Sequence, residues 1–413
     1  MMIAGFSDNV GRRPAYIICF TIYSAANLGL ALQNSYAALM VLRCLQSGGS
    51  SSTVALANGL VGDVITPAER GAYIAYASLG SILGPSLSPI LGGLITQYLD
   101  FHWLFWFLLI FGVVFFVLLL LFLPETCRKV VGDGSIPPRL VSWSVTDWIR
   151  HRNRRRRGCK EGEKIVRNDK KLQIPNPLPT LKVAFDKETG IILSATGFLY
   201  AGLYTVLTGS TSLFEEVHGF NNIEIALMYL PFGVGGIASA LTSGKLVDWN
   251  YRRHARKTGL PVIKNVRQDL RNFQIEHARL EVGIPFFYLA VAFIIGYGWV
   301  MGTRVSLAGP IILLFFMGYV LNGASQVLNA LMVDLWPGRS AAATAANNLI
   351  RCELGAAASA AIRPMTEAMG AGLAYTTVGL IAVVASSTLW LAMRYGMGWR
   401  RERIEREEGN TNP

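Results

Sequence analysis

Few residues in this chain have the type and spacing to do chemistry, and most are charges or amides set in apolar surroundings. Arg43 is the most informative, because it lies within the apolar run Tyr36–Ile65. An arginine inside a bilayer-spanning helix costs at least about 2.5–3.5 kcal/mol on insertion scales, so it must face a bundle interior or a wet cavity. Gln46, Ser47, Ser50, Ser51 and Asn58 follow it at near-helical spacing and give its helix a polar stripe. Two readings of Arg43 stand: a coupling residue whose fixed charge tunes the proton affinity of a nearby acid, or a structural arginine bonded to carbonyls of broken helices. Asn322, Gln326 and Asn329 fall at i, i+4 and i+7, a second polar face. Asn347, Asn348, Arg351 and Gly355 share a third, with Arg351 either lining a central cavity or snorkelling at a helix end. Tyr200, Tyr204, Phe287 and Tyr319 add aromatic surface. Amides with aromatics suit a bulky, amphipathic or cationic organic molecule; packing or lipid contact is the plainer use of the same rings. Bond-making chemistry is not indicated. No carboxylate sits at mid-span, and HExxH, CxxC and GxxxxGK[ST] patterns are all absent, so no metal site, cofactor or nucleotide is expected.

A second group of charges recurs. Residues 4–14 read AGFSDNVGRRP and residues 244–257 read GKLVDWNYRRHARK. Each places an Asp ahead of paired arginines, which predicts salt bridges of Asp8 with Arg12 or Arg13 and of Asp248 with Arg252 or Arg253. Recurrence of such a turn at the head of two basic-flanked blocks points to two homologous halves. Asp63, Glu69 and Asp334 sit at span ends, where gating salt bridges and ordinary solvation are both open. Gly71, Gly80, Gly84, Pro85, Pro89, Gly92 and Gly93 enrich one span in small residues and proline. Small residues let helices approach closely and proline kinks them, so this span reads as packing, as a hinge, or as both.

These residues must be held by membrane-spanning helices. The 413 residues carry 38 Lys+Arg against 26 Asp+Glu, a net charge of +12, with 52% hydrophobic and only 15% charged residues. Mean hydropathy is +0.38. A soluble domain averages about 25% charged residues, and single cores stop growing near about 250–300 residues, so the surplus apolar surface needs lipid as its solvent. Apolar runs near Ala15–Leu32, Tyr36–Ile65, Ala72–Tyr98, Trp103–Leu123, Gly190–Phe214, Ile223–Val247, Gly283–Gly302, Leu307–Leu331, Ala341–Pro364 and Gly372–Met393 predict an all-α polytopic protein of about ten spans. A soluble enzyme is excluded. Alternate loops are strongly basic: Pro124–Lys187 holds sixteen Lys and Arg, Asp248–Glu281 eight, and the tail after Ala392 five, against Arg304 alone on the opposite side. The positive-inside rule makes the basic set cytoplasmic, with both termini. The cluster HRNRRRR at 151–157 reads as a solvated loop touching anionic lipid rather than a nucleic-acid patch. Cys19, Cys44, Cys127, Cys159 and Cys352 are scattered and imply no disulfide framework, and the start has no signal-peptide pattern.

Taken together, these motifs resemble the major facilitator superfamily, and within it the fungal twelve-span drug:proton antiporters of the multidrug-resistance type. Asp8, Gly11, Arg12, Arg13 and Pro14 look like the turn between the second and third spans. Leu39-x-x-x-Arg43-x-x-Gln46-x-Gly48 looks like the fourth-span arginine motif, and Gly71, Gly80, Gly84 and Pro85 like the fifth-span antiporter motif. Pro124-Glu-Thr and Val131-Gly-Asp-Gly-Ser resemble the exit from the sixth span, and Asn347–Gly355 the eleventh. Ala4 stands for the turn's leading Gly, Ser88 for a glycine after Gly84-Pro85, and Gly48 sits one residue late. The resemblance implies two pseudo-symmetric helical bundles: residues 1–123, a basic cytoplasmic linker 124–188, residues 189–394, and a cytoplasmic tail 395–413. On its numbering the chain lacks the first two spans, so any proton-carrying acid is expected there. It implies proton-coupled export of small organic molecules (drugs, toxins or a secondary metabolite) by a monomer working by alternating access. The host is the plasma membrane or, second, the vacuolar membrane. Proton symport of a nutrient, polyamine or organic acid, and a truncated, non-transporting product, stay open as alternatives.

Overall fold

The computed structural model describes residues 2–66, 69–132, 143–145, 148, 178–258, 273–303, 306–337 and 339–409. The cluster at 151–157, most of the expected linker, Cys159 and Arg304 lie outside the described residues. The main helices among the described residues are α1 (Met2–Val10), α2 (Arg12–Leu32), α3 (Tyr36–Val64), α4 (Arg70–Ala77), α5 (Leu79–Tyr98), α6 (Phe101–Phe122), α7 (Lys187–His218), α8 (Asn222–Lys257), α9 (Ile275–Gly302), α10 (Ala308–Leu335), α11 (Ser340–Met369) and α12 (Ala371–Gly409). Short turns of helix at Arg128–Val131 and Leu178–Ala184 join them, and no strand occurs among the described residues.

The all-helical, multi-pass reading holds. Among the described residues seven helices, α2, α6, α7, α8, α9, α10 and α12, are long and apolar enough to cross a membrane. The expected spans α3, α5 and α11 also form as long helices. Helix α3 carries Arg43, Asp63 and a serine-rich turn, and α11 carries Arg351, Glu353, Arg363 and Glu367, which lowers their mean hydropathy, whereas α5 is apolar over Leu83–Ile95 with Pro85 and Pro89 inside it. Helix α6 is the opposite extreme. Phe107, Ile110, Phe111, Val114, Phe115, Leu118 and Phe122 are exposed along it, a stripe that water would penalise and acyl chains satisfy.

By their contacts the helices fall into two units. The first takes in Met1–Val64, Ile95–Leu181 and Pro337–Ala345. Here α2 packs on α3 and α6; Phe6, Ala15, Tyr16, Cys19 and Leu56 form its core, and Ala55, Ala341 and Ala345 a second, small-residue contact. The second takes in Ile65–Leu94, Lys182–Trp336 and Ala346–Pro413. Here α8 packs on α10 and α4, and α9 on α10 and α12, around buried Phe287, Tyr297 and Tyr375. Local signals start and stop these helices. Asp186 accepts the Thr189 N–H at 3.4 Å to cap α7, Gly219 ends α7 at φ 67°, and the Glu224 carboxylate accepts the Asn221 N–H at 2.8 Å at the head of α8. The expected tail from 395 continues α12 as helix to Gly409. Arg400 bonds Glu276 at 3.0 Å and the Phe273 carbonyl at 2.6 Å, and Arg403 bonds Asp186 at 2.9 Å beneath the Trp336 ring.

Candidate functional site

In the first unit the predicted turn closes on itself and on residues far away. Helix α1 ends near Asp8, Gly11 breaks the chain at φ 132°, and α2 starts at Arg12. That φ is open to glycine at little cost, and a Cβ there would also overlap the Glu125 carboxylate. Arg12 Nη1 meets Asp8 Oδ1 at 2.6 Å, its Nε donates to Asp63 Oδ2 at 2.8 Å, and Nη1 donates to Ser7 Oγ at 2.8 Å. Asp8 Oδ2 accepts the backbone N–H of Ala342, in the first turn of α11, at 3.0 Å. A carboxylate there satisfies an orphan donor and complements the helix dipole. Asp8 therefore chooses Arg12 over Arg13. Arg13 instead donates to the Leu123 and Leu120 carbonyls at 2.8 and 2.7 Å, closing the end of α6. Glu125 accepts the Arg12 and Arg13 N–H groups at 2.8 and 3.2 Å, capping α2. The parts played by Asp63 and Glu125 in this network were not legible in the sequence, since both partners are distant along the chain.

The second unit repeats the arrangement with different spacing. Asp248 on α8 pairs with neither Arg252 nor Arg253. It faces Arg279 at the head of α9, whose Nη1 donates at 3.4 Å. Arg279 Nε also donates to Asp334 Oδ2, at the end of α10, at 3.0 Å, and Arg70 bonds the other oxygen of Asp334. Asp248 accepts the Gly71 and Ala72 N–H groups at 2.9 and 3.0 Å, the first turn of α4. So Asp248, Arg279, Asp334 and α4 reproduce Asp8, Arg12, Asp63 and α11. Arg252 reaches half-buried Glu69 and Arg253 reaches Glu281, each at 3.8 Å and with both arginines exposed. The predicted pairing failed because the α8–α9 connection carries the equivalent arginine far downstream, whereas Gly11 alone separates α1 from α2.

The glycine motif divides. A Cβ on Gly71 would sit 2.6 Å from Asp248 Oδ1, and one on Gly244 would sit 2.7 Å from the Ala72 Cα, so these two glycines let α4 and α8 touch. At Gly80 and Gly84 no described atom comes within 4 Å of an added Cβ, and Pro85 lies inside continuous helix.

Arg43 stands two turns into α3 rather than at its midpoint. Its Nη1 donates to Gln46 Oε1 at 2.9 Å, Gln46 Nε2 donates to Asn27 Oδ1 at 2.6 Å, and its guanidinium lies 5.5 Å over the Phe105 ring. Gln46 and Asn27 are buried while Arg43 is exposed: a fixed charge at the end of a buried amide relay. The amide face on α10 is largely spent on helix contacts. Gln326 accepts from Ser243 at 2.7 Å, Asn329 accepts from Asn347 at 2.7 Å, and Asn322 donates to the Gly318 carbonyl of its own helix at 2.7 Å. Buried amide pairs glue helices, which is a different task from lining a cavity. Tyr319 bonds Thr242 at 2.9 Å. Arg351 lies 4.6 Å over the Tyr200 ring, a cation–π contact, and Gly355 of the same helix packs against Tyr204.

His254, His277 and Glu281 bring three possible metal ligands within 4.8 Å of one another, a cluster the sequence hides because α8 and α9 assemble it. Glu281 is already shared by His254 at 2.6 Å, Asn250 at 2.9 Å and Arg253, so the group reads as an ion-pair cluster at the ends of two helices.

The comparisons with known proteins agree with this geometry. The human organic anion transporter MFSD10 has the same fold, with a TM-score of 0.64 over 94% of this chain and 79% of that one, at 18% identity. Citrate exporter 1 of Aspergillus niger is 33% identical over 416 residues, which is 98% of this chain and 77% of that protein. The MFS-type transporter phiD of a fungal species (strain ATCC 74256) is 57% identical over 408 residues, so the chain spans 62% of the length of that relative. The Major Facilitator Superfamily pattern itself matches residues 1–360. Ten long helices among the described residues, a charge network built twice and this match give one conclusion: the chain is a multi-pass membrane protein, not an enzyme, and belongs to the major facilitator superfamily.

Proposed function

We propose that the chain acts as a secondary transporter, exporting small organic molecules (drugs, toxins or a secondary metabolite) by alternating access and drawing on a proton gradient. The observation that carries this reading is the doubled network. In each unit an aspartate holds the first amides of another helix while a buried arginine ties it to a second aspartate. Polar contacts of this kind are made and unmade at similar cost when water replaces them, which suits helices that alternate between two seatings. Export rather than import is supported by the resemblance of Gly71, Gly80, Gly84 and Pro85 to an antiporter motif and by the relative named Citrate exporter 1. Proton coupling is assigned to Arg43 acting through Gln46 and Asn27. Cargo contacts are assigned to Arg351, Tyr200 and Tyr204. The protein works as a monomer in the plasma membrane with both termini in the cytosol.

Cells expressing the chain are compared with cells expressing Arg43→Ala at matched abundance, across dyes, azoles, polyamines and organic acids. Lower accumulation of at least one compound, abolished by a protonophore and by Arg43→Ala, is expected. Higher accumulation makes it an importer. Unchanged accumulation across the panel refutes transport by this chain.

A further inference from the structure

One cavity borders the network at Asp248 and Ala72 and takes no part in the proposed cargo contacts. It measures about 690 Å³, lies between α4 and α8, and is lined by Glu69, Tyr73, Lys245, Trp249, Arg252 and Arg256 among others. Its depth in the membrane follows from the sequence of α8. Residues 225–244 carry no Asp, Glu, Lys or Arg, and about 20 apolar residues cross the hydrocarbon core. Lys245 therefore marks the edge of the hydrocarbon, and Trp249, Arg252 and Arg256 continue along the same helix face into the headgroup layer at ~1.5 Å per residue.

The charges in this cavity do not balance. Asp248 is committed to Arg279 and to the α4 amides. Glu69 answers Arg252, and Glu281, outside the cavity, answers Arg253. Lys245 and Arg256 face the opening with no acidic partner within salt-bridge distance among the described residues. Both side chains are exposed, as are Trp249 at 58% and Tyr73 at 46%. Exposed aromatic rings beside unpaired cations at that depth match the composition of membrane interfaces, and basic pockets between helices there hold anionic headgroups. A soluble anion would need the cations but not the exposed rings.

We propose that this cavity binds an anionic glycerophospholipid, its phosphate between Lys245 and Arg256 and its glycerol and upper acyl carbons against Trp249 and Tyr73. The inference stands whether or not the chain proves to export anything.

The test uses the purified chain in a neutral detergent, with retention of dioleoyl-phosphatidylserine and dioleoyl-phosphatidylcholine read by native mass spectrometry. Preferential retention of phosphatidylserine is expected, weakened at least about tenfold in Lys245→Gln/Arg256→Gln, from the attraction of two charges at a membrane surface. Lys257→Gln, one residue outside the lining, should leave retention unchanged. Phosphatidylserine should also raise the melting temperature of the wild-type chain more than that of the double variant, by linkage. Equal retention of the two lipids, or equal retention by wild type and double variant, overturns the proposal. Displacement of the lipid by millimolar inorganic phosphate, with the same protection from phosphate alone, overturns it in favour of a free-anion site.

Discussion

Replacing Arg279 by methionine removes a guanidinium that is 0% exposed and that touches two carboxylates, Asp334 at 3.0 Å and Asp248 at 3.4 Å. Methionine keeps most of the apolar stem, so the lost interaction is mainly charge. Asp248 keeps the α4 amides and Asp334 keeps Arg70, but neither keeps the cation between them. Removing one partner of a buried ion pair costs about 3–5 kcal/mol, because the remaining charge stays buried without compensation. Removing Arg252 and Arg253 takes away contacts at 3.8 Å from side chains that are 45% and 44% exposed. Such exposed pairs are worth about 0–1 kcal/mol each. In a body of more than 200 residues about 1 kcal/mol moves the melting temperature by about 2 °C. Arg279→Met should therefore lower the apparent melting temperature by roughly 6–10 °C and Arg252→Gln/Arg253→Gln by no more than roughly 4 °C, read by intrinsic fluorescence in one detergent. A double arginine variant that falls as far as Arg279→Met, or an Arg279→Met variant that melts with the wild type, refutes the assignment of Arg279 to Asp248.

Arg12 is 1% exposed and placed as Arg279 is, so Arg12→Met should melt lower by a similar roughly 6–10 °C in the same assay. Gly11→Ala meets both a positive φ and the Glu125 carboxylate; a strain of about 1–3 kcal/mol should appear as a fall of roughly 2–6 °C, and no fall would remove the argument for that turn. Gly244→Val forces backbone apart at Ala72, and the amides of Gly71 and Ala72 should then exchange hydrogen at least tenfold faster, while the amides of α7 keep their rate. Arg43→Lys keeps the charge but loses the fork that reaches Gln46. If Arg43 couples transport, flux should fall several-fold at unchanged abundance and melting temperature, and an unchanged flux would return it to a structural role.

Much of the scaffold was readable because it follows from burial period and length alone. An uncharged run such as Trp103–Leu123 has one stable form in lipid, and α6 is that form. The repeated Asp-then-arginine turn was also readable, and in the first unit one of the two partners it left open for Asp8, Arg12, forms the pair, four positions on along adjoining helices. In the second unit the same reading gave the wrong arginine. Nothing local distinguishes Arg252 from Arg279; only the return of α9 beside α8 brings the latter to Asp248 and drives the former outward to Glu69. The amide stripe on α10 shows a similar limit. Its period places Gln326 and Asn329 on one face, but whether that face meets a cavity or another helix depends on Ser243 and Asn347, which lie on α8 and α11. Sequence period fixes a face, and tertiary packing decides what the face is for.

The two aspartates at the heart of the networks do something that their charge alone does not specify. Asp248 offers Oδ1 to Gly71 N–H and to Arg279, and Oδ2 to Ala72 N–H. Asp8 offers Oδ1 to Arg12 and Oδ2 to Ala342 N–H. Both oxygens accept, since these amides and guanidinium groups are donors. Asparagine has the same shape but only one accepting oxygen, and its NH₂ would point at N–H groups. Glutamate accepts twice but carries one more methylene, and Gly71 leaves no room for it, being already closer to Asp248 than a Cβ permits. A helix start is a ready-made carboxylate site, and here each is fitted to a carboxylate of one length held by one arginine. Each aspartate thus seats a helix start through main-chain amides, and at α4 the Arg70 side chain adds a bond to Asp334.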